Sequence, residues 1–166
     1  MSIEIERKFL LTRFSKEQMN KKNIKLIDKK KISQNYLAIG EEEIRIRKII
    51  DESEENASYF MTYKKGNSLK RIEQEIEILK ETYDQLQGNL KPINKTRSTF
   101  KFNNYLIYVD EYDDFDFCTI EIEFDSVEES LNFVPPSWFG EEITVNKDYK
   151  NQSLWLKLNF KAINLT

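Results

Sequence analysis

Charged side chains recur at alternate positions along this chain, and they are sorted by sign. Glu4, Glu6 and Lys8 lie two apart among Ile3, Ile5 and Phe9. Arg45 and Arg47 are interleaved with Ile44 and Ile46, while Glu73, Glu75 and Glu77 are opposed by Ile72, Ile76 and Ile78. Lys95 and Arg97 form a second basic pair, Tyr108 and Asp110 alternate with Ile107 and Val109, and Glu121 and Glu123 lie between Ile120, Ile122 and Phe124. In a β-strand, successive side chains point to opposite faces, so each segment presents one ionic and one apolar face. Arg and Lys match the oxygens of a polyanion, Arg through planar bidentate contacts to phosphate. Clustered carboxylates repel one another, and repel phosphate, unless something positive lies between them. A hard cation such as Mg²⁺ takes oxygen ligands, typically one or two carboxylates plus substrate phosphates. Both signs together imply a metal-bound chain of phosphates as the guest.

A single strand of this kind is most simply a solvated face, because Glu/Lys alternation is common on surfaces. Repetition and segregation argue otherwise. A sheet stabilised by its surface places opposite charges as neighbours, whereas here the segments at 73–77 and 121–123 are acidic and the pairs at 45–47 and 95–97 are basic. Closed with its apolar face outward under helices, such a sheet lines a channel with charge. That inverts an ordinary small barrel, whose interior is packed with apolar side chains. A charged interior must be satisfied by pairing or by a ligand, or its desolvation is prohibitive.

Eight segments carry the strand pattern: the opening stretch to Phe9, Lys31–Ile39, Ile44–Ile49, Tyr59–Lys64, Lys70–Leu79, Ile93–Phe102, Tyr105–Tyr112 and Thr119–Phe124. Gly40 to Glu43, Lys65–Ser68 and Asn103–Asn104 read as turns, and Asp51–Ser58 and Asp113–Asp116 as polar connections. Short helices are predicted from the capping box at Ser15 to about Lys22, over Glu81–Gln87 with a stop at Gly88, and from a second capping box at Ser126 to Pro135-Pro136. A terminal helix over Asn151–Asn159 docks on the sheet through Leu154, Trp155, Leu156 and Leu158. No linker, repeat or composition break divides the chain, so residues 1–166 are expected to form one domain.

Composition narrows the chemistry. With 39% hydrophobic and 33% charged residues in 166, a soluble globular domain with a real core is expected. The net charge of −3 supplies no basic field for nucleic acid or acidic lipid. Cys118 stands alone, which excludes an internal disulfide and fits a reducing cytoplasm. No apolar run is long enough to span a bilayer, and the charged N-terminus lacks a signal-peptide core. There is no His, which removes Ser-His, Cys-His and histidine-metal chemistry, so any metal must be held by oxygen.

The ordered set of motifs resembles the CYTH superfamily, the triphosphate tunnel metalloenzymes, nearly end to end. Glu4-x-Glu6-x-Lys8 resembles its N-terminal signature, Arg45-x-Arg47 its paired arginines, and Lys64 its following strand lysine. Arg71 to Glu77 is similar to its acidic strand, Lys95-x-Arg97 to its basic pair and Glu121-x-Glu123 to its late acidic pair. Ile143-Thr144, Tyr149-x-Asn151 and Leu154 resemble its closing motif. That motif usually has Asp and Arg before the tyrosine; here Asn146 and Asp148 stand instead, which leaves Lys147 as the substitute for any phosphate contact from that segment.

The resemblance implies an α+β fold, an eight-stranded antiparallel tunnel with short helices outside, acting on triphosphates with Mg²⁺ or Mn²⁺. It implies that Arg45, Arg47, Lys64, Lys95 and Arg97 grip phosphate oxygens. Glu4, Glu6, Glu121 and Glu123 would hold metal, with Glu73, Glu75 and Asp110 assisting. Lys8 would contact a terminal phosphate and Tyr36 would steady it. Activities of the family include inorganic tripolyphosphatase, thiamine triphosphatase, RNA triphosphatase and adenylate cyclase, and short chains of this kind most resemble the first. The rivals are a class IV-type adenylate cyclase and a non-catalytic polyphosphate- or nucleotide-binding module. The implied partner is a small-molecule triphosphate, not nucleic acid or membrane, and a homodimer is possible. Ordinary structural readings compete at several positions: a rim ion pair for Arg71 and Glu77, a structural role for Asp110, seating of the terminal helix for Tyr149 and Asn151, and packing for Cys118, Trp138 and Trp155.

Overall fold

A computed structural model describes residues 2–11, 24–66 and 70–160. Eight strands, β1 (Ser2–Leu11), β2 (Lys25–Ala38), β3 (Glu42–Asp51), β4 (Ala57–Gly66), β5 (Lys70–Glu77), β6 (Ile93–Phe102), β7 (Tyr105–Tyr112) and β8 (Cys118–Glu123), close into one barrel in the order β1-β5-β4-β3-β2-β6-β7-β8. Every ladder is antiparallel. Three helices are described, α1 (Lys80–Leu86), α2 (Val127–Asn132) and α3 (Asn151–Asn159), with a 3₁₀ turn at Lys147–Tyr149. The α+β barrel that the family resemblance implies is the observed fold, with the ionic strand faces turned inward.

Local chemistry sets the connections. Asn103 adopts φ +53° in the β6–β7 hairpin, a conformation Asn tolerates better than most residues. Gly88 takes φ +60° just after α1, where a Cβ would be strained. Ser126 caps α2 by accepting from the Glu129 amide at 3.0 Å, while the Glu129 carboxylate accepts from the Asp125 amide at 3.1 Å. The capping box at Ser15 and the second half of the turn at 65–68 lie outside the described residues. The largest boundary difference is at β2, which begins at Lys25 rather than Lys31. Leu26 and Ile27 are both exposed there, so no apolar alternation announces a strand. Pairing with β6, and ion pairs from Lys29 to Glu52 and from Lys30 to Asp28, hold it.

Apolar packing lies on two sides of the barrel wall. Ile5, Phe9, Phe100, Ile107, Val109, Ile120 and Ile122 point outward from β1, β6, β7 and β8 and are covered by the segment carrying Phe124, α2 and Phe139. The second cluster covers one mouth: Leu154 and Trp155 of α3 pack on Tyr36, Ile93 and Tyr112. Trp155 lies 5.6 Å from the Tyr36 ring, and its indole N–H donates to Asn35 at 2.9 Å. β1 divides its pairing, using residues 2–5 against β5 and 6–11 against β8. The edge left free near its end takes the 141–143 segment, through Leu10 N–H to Glu141 O and Ile143 N–H to Lys8 O, both 2.8 Å.

Candidate active site

Register decides which side chains face inward. Across β1 and β8, Glu6 stands beside Glu123 and Lys8 beside Glu121. Arg71 stands beside Glu4, Glu73 beside Lys64, Glu75 beside Thr62, Arg45 beside Tyr36, and Arg97 beside Asp110. One narrow cavity is lined by Glu4, Glu6, Lys8, Tyr36, Glu43, Arg45, Arg47, Lys64, Arg71, Lys95, Arg97, Glu121 and Glu123, with Thr144, Asn146, Tyr149, Lys150 and Asn151 from the closing segment. Charges sorted by strand in sequence thus meet across the lumen. Lys64 donates to both oxygens of Glu4 at 2.8 Å and pairs with Glu73 at 2.5 Å. Arg71 spans Glu4 at 3.3 Å and Glu6 at 3.0 Å. Lys8 meets Glu121 at 3.0 Å, Arg97 bridges Glu121 and Asp110, and Arg47 pairs with Glu75. The Nε atoms of Arg45 and Arg47 are buried without a hydrogen-bond partner among the described residues.

The protonation balance is uneven. Burial, reinforced by the Glu121 and Glu4 carboxylates, pushes Glu6 up to about 7 despite Arg71 and Lys64. Glu123 is raised too, by burial and then by Glu4. Glu121 is held well below the carboxylate range: burial opposes ionisation, but Arg97, Lys8 and Lys95 outweigh it. For Lys8 burial is likewise outweighed, by Tyr112, Glu121 and Asp110, so its ammonium stays charged. Burial draws Lys95 down to about 7 against Asp110, and Arg47 to about 10, with Arg45 repelling it. The Tyr36 phenol is raised by burial and by Glu43, so it remains a neutral donor. Positive charge is therefore ample around Glu121 and short around Glu6 and Glu123.

The CYTH domain family matches residues 2–152. The chain belongs to this family. An inorganic triphosphatase of Nitrosomonas europaea is 32% identical over 164 residues, covering 93% of this chain and 98% of that one. The crystal structure of an inorganic triphosphatase aligns with a TM-score of 0.60 at 30% identity, over 94% of this chain and 96% of the other. A putative adenylate cyclase of Vibrio parahaemolyticus aligns at 0.52 with 13% identity, over 78% and 81% of the two chains, and shares the fold alone.

Within this CYTH barrel, most residues singled out in the sequence converge on the cavity: Glu4, Glu6, Lys8, Tyr36, Arg45, Arg47, Lys64, Lys95, Arg97, Glu121 and Glu123. Glu73 and Glu75 bind Lys64 and Arg47 at its wall. Asp110 has no exposed surface and receives Lys95 at 2.6 Å and Arg97 at 2.7 and 2.8 Å, so it holds the basic pair from behind. Lys147 is exposed on the 3₁₀ turn, and Lys150 lines the cavity in its place. Arg71 does not pair with Glu77: they stand at opposite ends of β5, and Arg71 reaches Glu4 and Glu6 instead. Asn151 accepts from the Tyr112 hydroxyl at 2.9 Å and Tyr149 packs on Phe117 at 5.3 Å, which seats α3. Cys118 is a packing residue of the outer core, its thiol pushed up by burial. Glu43 and Lys150 went unnoticed in the sequence. Glu43 continues the Arg45/Arg47 phase by one step, a signal masked by the acidic turn; Lys150 carries no periodic signal.

Proposed function

We propose that this CYTH protein hydrolyses inorganic tripolyphosphate within its barrel, using Mg²⁺ or Mn²⁺. The observation that carries the reading is the ring of basic side chains facing carboxylates across one lumen, in a chain 32% identical to an inorganic triphosphatase. A water oxygen bonds to a terminal phosphorus as the bridging P–O bond breaks, releasing orthophosphate and pyrophosphate. Catalysis of this kind is mostly positioning and electrostatics. Arg45, Arg47, Lys64, Lys95 and Arg97 grip phosphate oxygens, with Arg71 added to the set. Lys8, kept protonated, serves as a fixed positive charge rather than a base, and Tyr36 donates a hydrogen bond.

Among the described residues, no group of three or more Asp, Glu, Cys or His side chains is drawn into a ready-made metal cage. The donors present still fit a hard cation. Glu6 and Glu123 are adjacent carboxylates with raised affinity for protons, and Mg²⁺ ordinarily takes one or two carboxylates and completes its shell with phosphate and water. Glu4 and Glu121 are the next nearest candidates, each engaged by cations. Bound there, Mg²⁺ or Mn²⁺ neutralises phosphate charge and acidifies a water.

A second reading rests on a cavity of about 410 Å³ at the mouth away from α3, which shares Glu4 and Glu123 with the lumen and is lined by Ile3, Tyr105, Leu106 and Tyr108. Such a space suits a triphosphate carrying an organic group, including ATP. The test is phosphate release from tripolyphosphate with Mg²⁺ or Mn²⁺, beside ATP with cyclic AMP assayed. Release from tripolyphosphate, lost in Glu6→Ala and Arg47→Ala, supports the hydrolase. Cyclic AMP from ATP promotes the cyclase, and tight binding without turnover leaves a binding module.

A further inference from the structure

We propose that Glu43 limits the length of the phosphate chain this site accepts, by ending the cationic track that the β3 arginines lay down. The inference rests on the triphosphate reading above and specifies which inorganic polyphosphates fit. β3 presents Arg47, Arg45 and Glu43 to the lumen in that order. Each two-residue step along a strand advances about 6.7 Å. The charge therefore changes sign one step beyond Arg45, on the side of the mouth that α3 covers.

Three observations set this carboxylate apart from the ion-paired Glu4, Glu6, Glu73, Glu75 and Glu121. Glu43 is 8% exposed and lines the cavity, yet it forms no ion pair among the described residues. Lys64, its register neighbour on β4, is committed to Glu4 and Glu73. Arg71 pairs with Glu4 and Glu6, so Arg71, Arg45 and Lys150 act on Glu43 through their fields and not as ion pairs. At this end Tyr36, beside Arg45 on β2, packs against Trp155 of α3.

A phosphate chain held by Arg47 and Arg45 and extended past them meets a carboxylate with no ion-pair partner among the described residues, at the end that α3 covers. Like charges placed together at low dielectric are a strong discriminator, and repulsion against the wrong ligand is how specificity is commonly built. Chains that stop at the arginines pay none of this.

The experiment compares tripolyphosphate and tetrapolyphosphate as substrates of wild type, Glu43→Gln and Glu43→Asp, reading the tetra-to-tri ratio of kcat/KM. Calorimetric affinities for both anions give a second readout. Glu43→Gln, which is isosteric and uncharged, is expected to raise the ratio tenfold or more in turnover or in affinity, with Glu43→Asp near wild type. An unchanged or lowered ratio overturns the proposal whatever the absolute rates, since a structural or metal-holding role depresses both substrates together. Failure of wild type to bind or cleave tripolyphosphate would instead refute the parent reading, so the two failures are distinct.

Discussion

Glu6 should destabilise the fold it serves, and replacing it by Gln should strengthen the protein while disabling it. Its carboxyl titrates at about 7 instead of 4.5, because burial and the Glu121 and Glu4 carboxylates disfavour the charge. A raised folded pKa means that the folded state holds the proton more tightly than the unfolded chain. Stability from this group is therefore full below about 4.5 and is lost as pH rises through about 7. At 1.36 kcal/mol per pH unit, the ionised side chain costs about 3 kcal/mol above neutrality. The attractions of Arg71 and Lys64 are already contained in that figure, and Arg71 keeps Glu4 at 3.3 Å when Glu6 is neutral. Glu6→Gln is thus expected to gain about 2–3 kcal/mol at pH 8, roughly 5–10 °C in Tm for a domain of this size, shrinking below about 1 kcal/mol at pH 5. Urea unfolding without divalent metal at both pH values measures it, with phosphate release followed in parallel. A variant less stable than wild type at pH 8, or a gain independent of pH, refutes the reasoning.

Asp110→Asn leaves Lys95 and Arg97 without their fully buried counter-ion; a loss of about 3–5 kcal/mol is expected by denaturant unfolding. Trp155→Ala removes the packing on Tyr36 and the bond to Asn35, at a cost of about 3–5 kcal/mol, whereas Trp155→Phe should lose only the smaller hydrogen-bond part, read in the same melts. Gly140→Ala would set a Cβ 1.9 Å from the Leu10 carbonyl oxygen; a backbone atom cannot swing aside, so a fall of about 2 kcal/mol or more is expected in thermal unfolding. Chelation by EDTA should abolish tripolyphosphate hydrolysis and added Mg²⁺ or Mn²⁺ should restore it; activity that survives EDTA would remove the metal from the proposed function.

By itself the sequence determined the strand count, the ionic face of most strands and the family. Period-two alternation survives translation into structure directly, because a strand has only two faces. It also announced which turns and caps close the elements, through Asn103, Gly88 and Ser126. Its silence at Lys25–Lys31 came from a segment whose apolar residues are exposed and whose strand is held by partners far along the chain. Only the tertiary structure decided who neutralises whom. Arg71 belongs to Glu4 and Glu6, Asp110 stands behind Lys95 and Arg97, and Glu43 forms no ion pair among the described residues at the covered end. Those pairings depend on register between strands distant in sequence and on where α3 comes to rest. The local pattern fixes the sign and face of a charge, but only the closed barrel brings it within a few ångströms of its counter-charge.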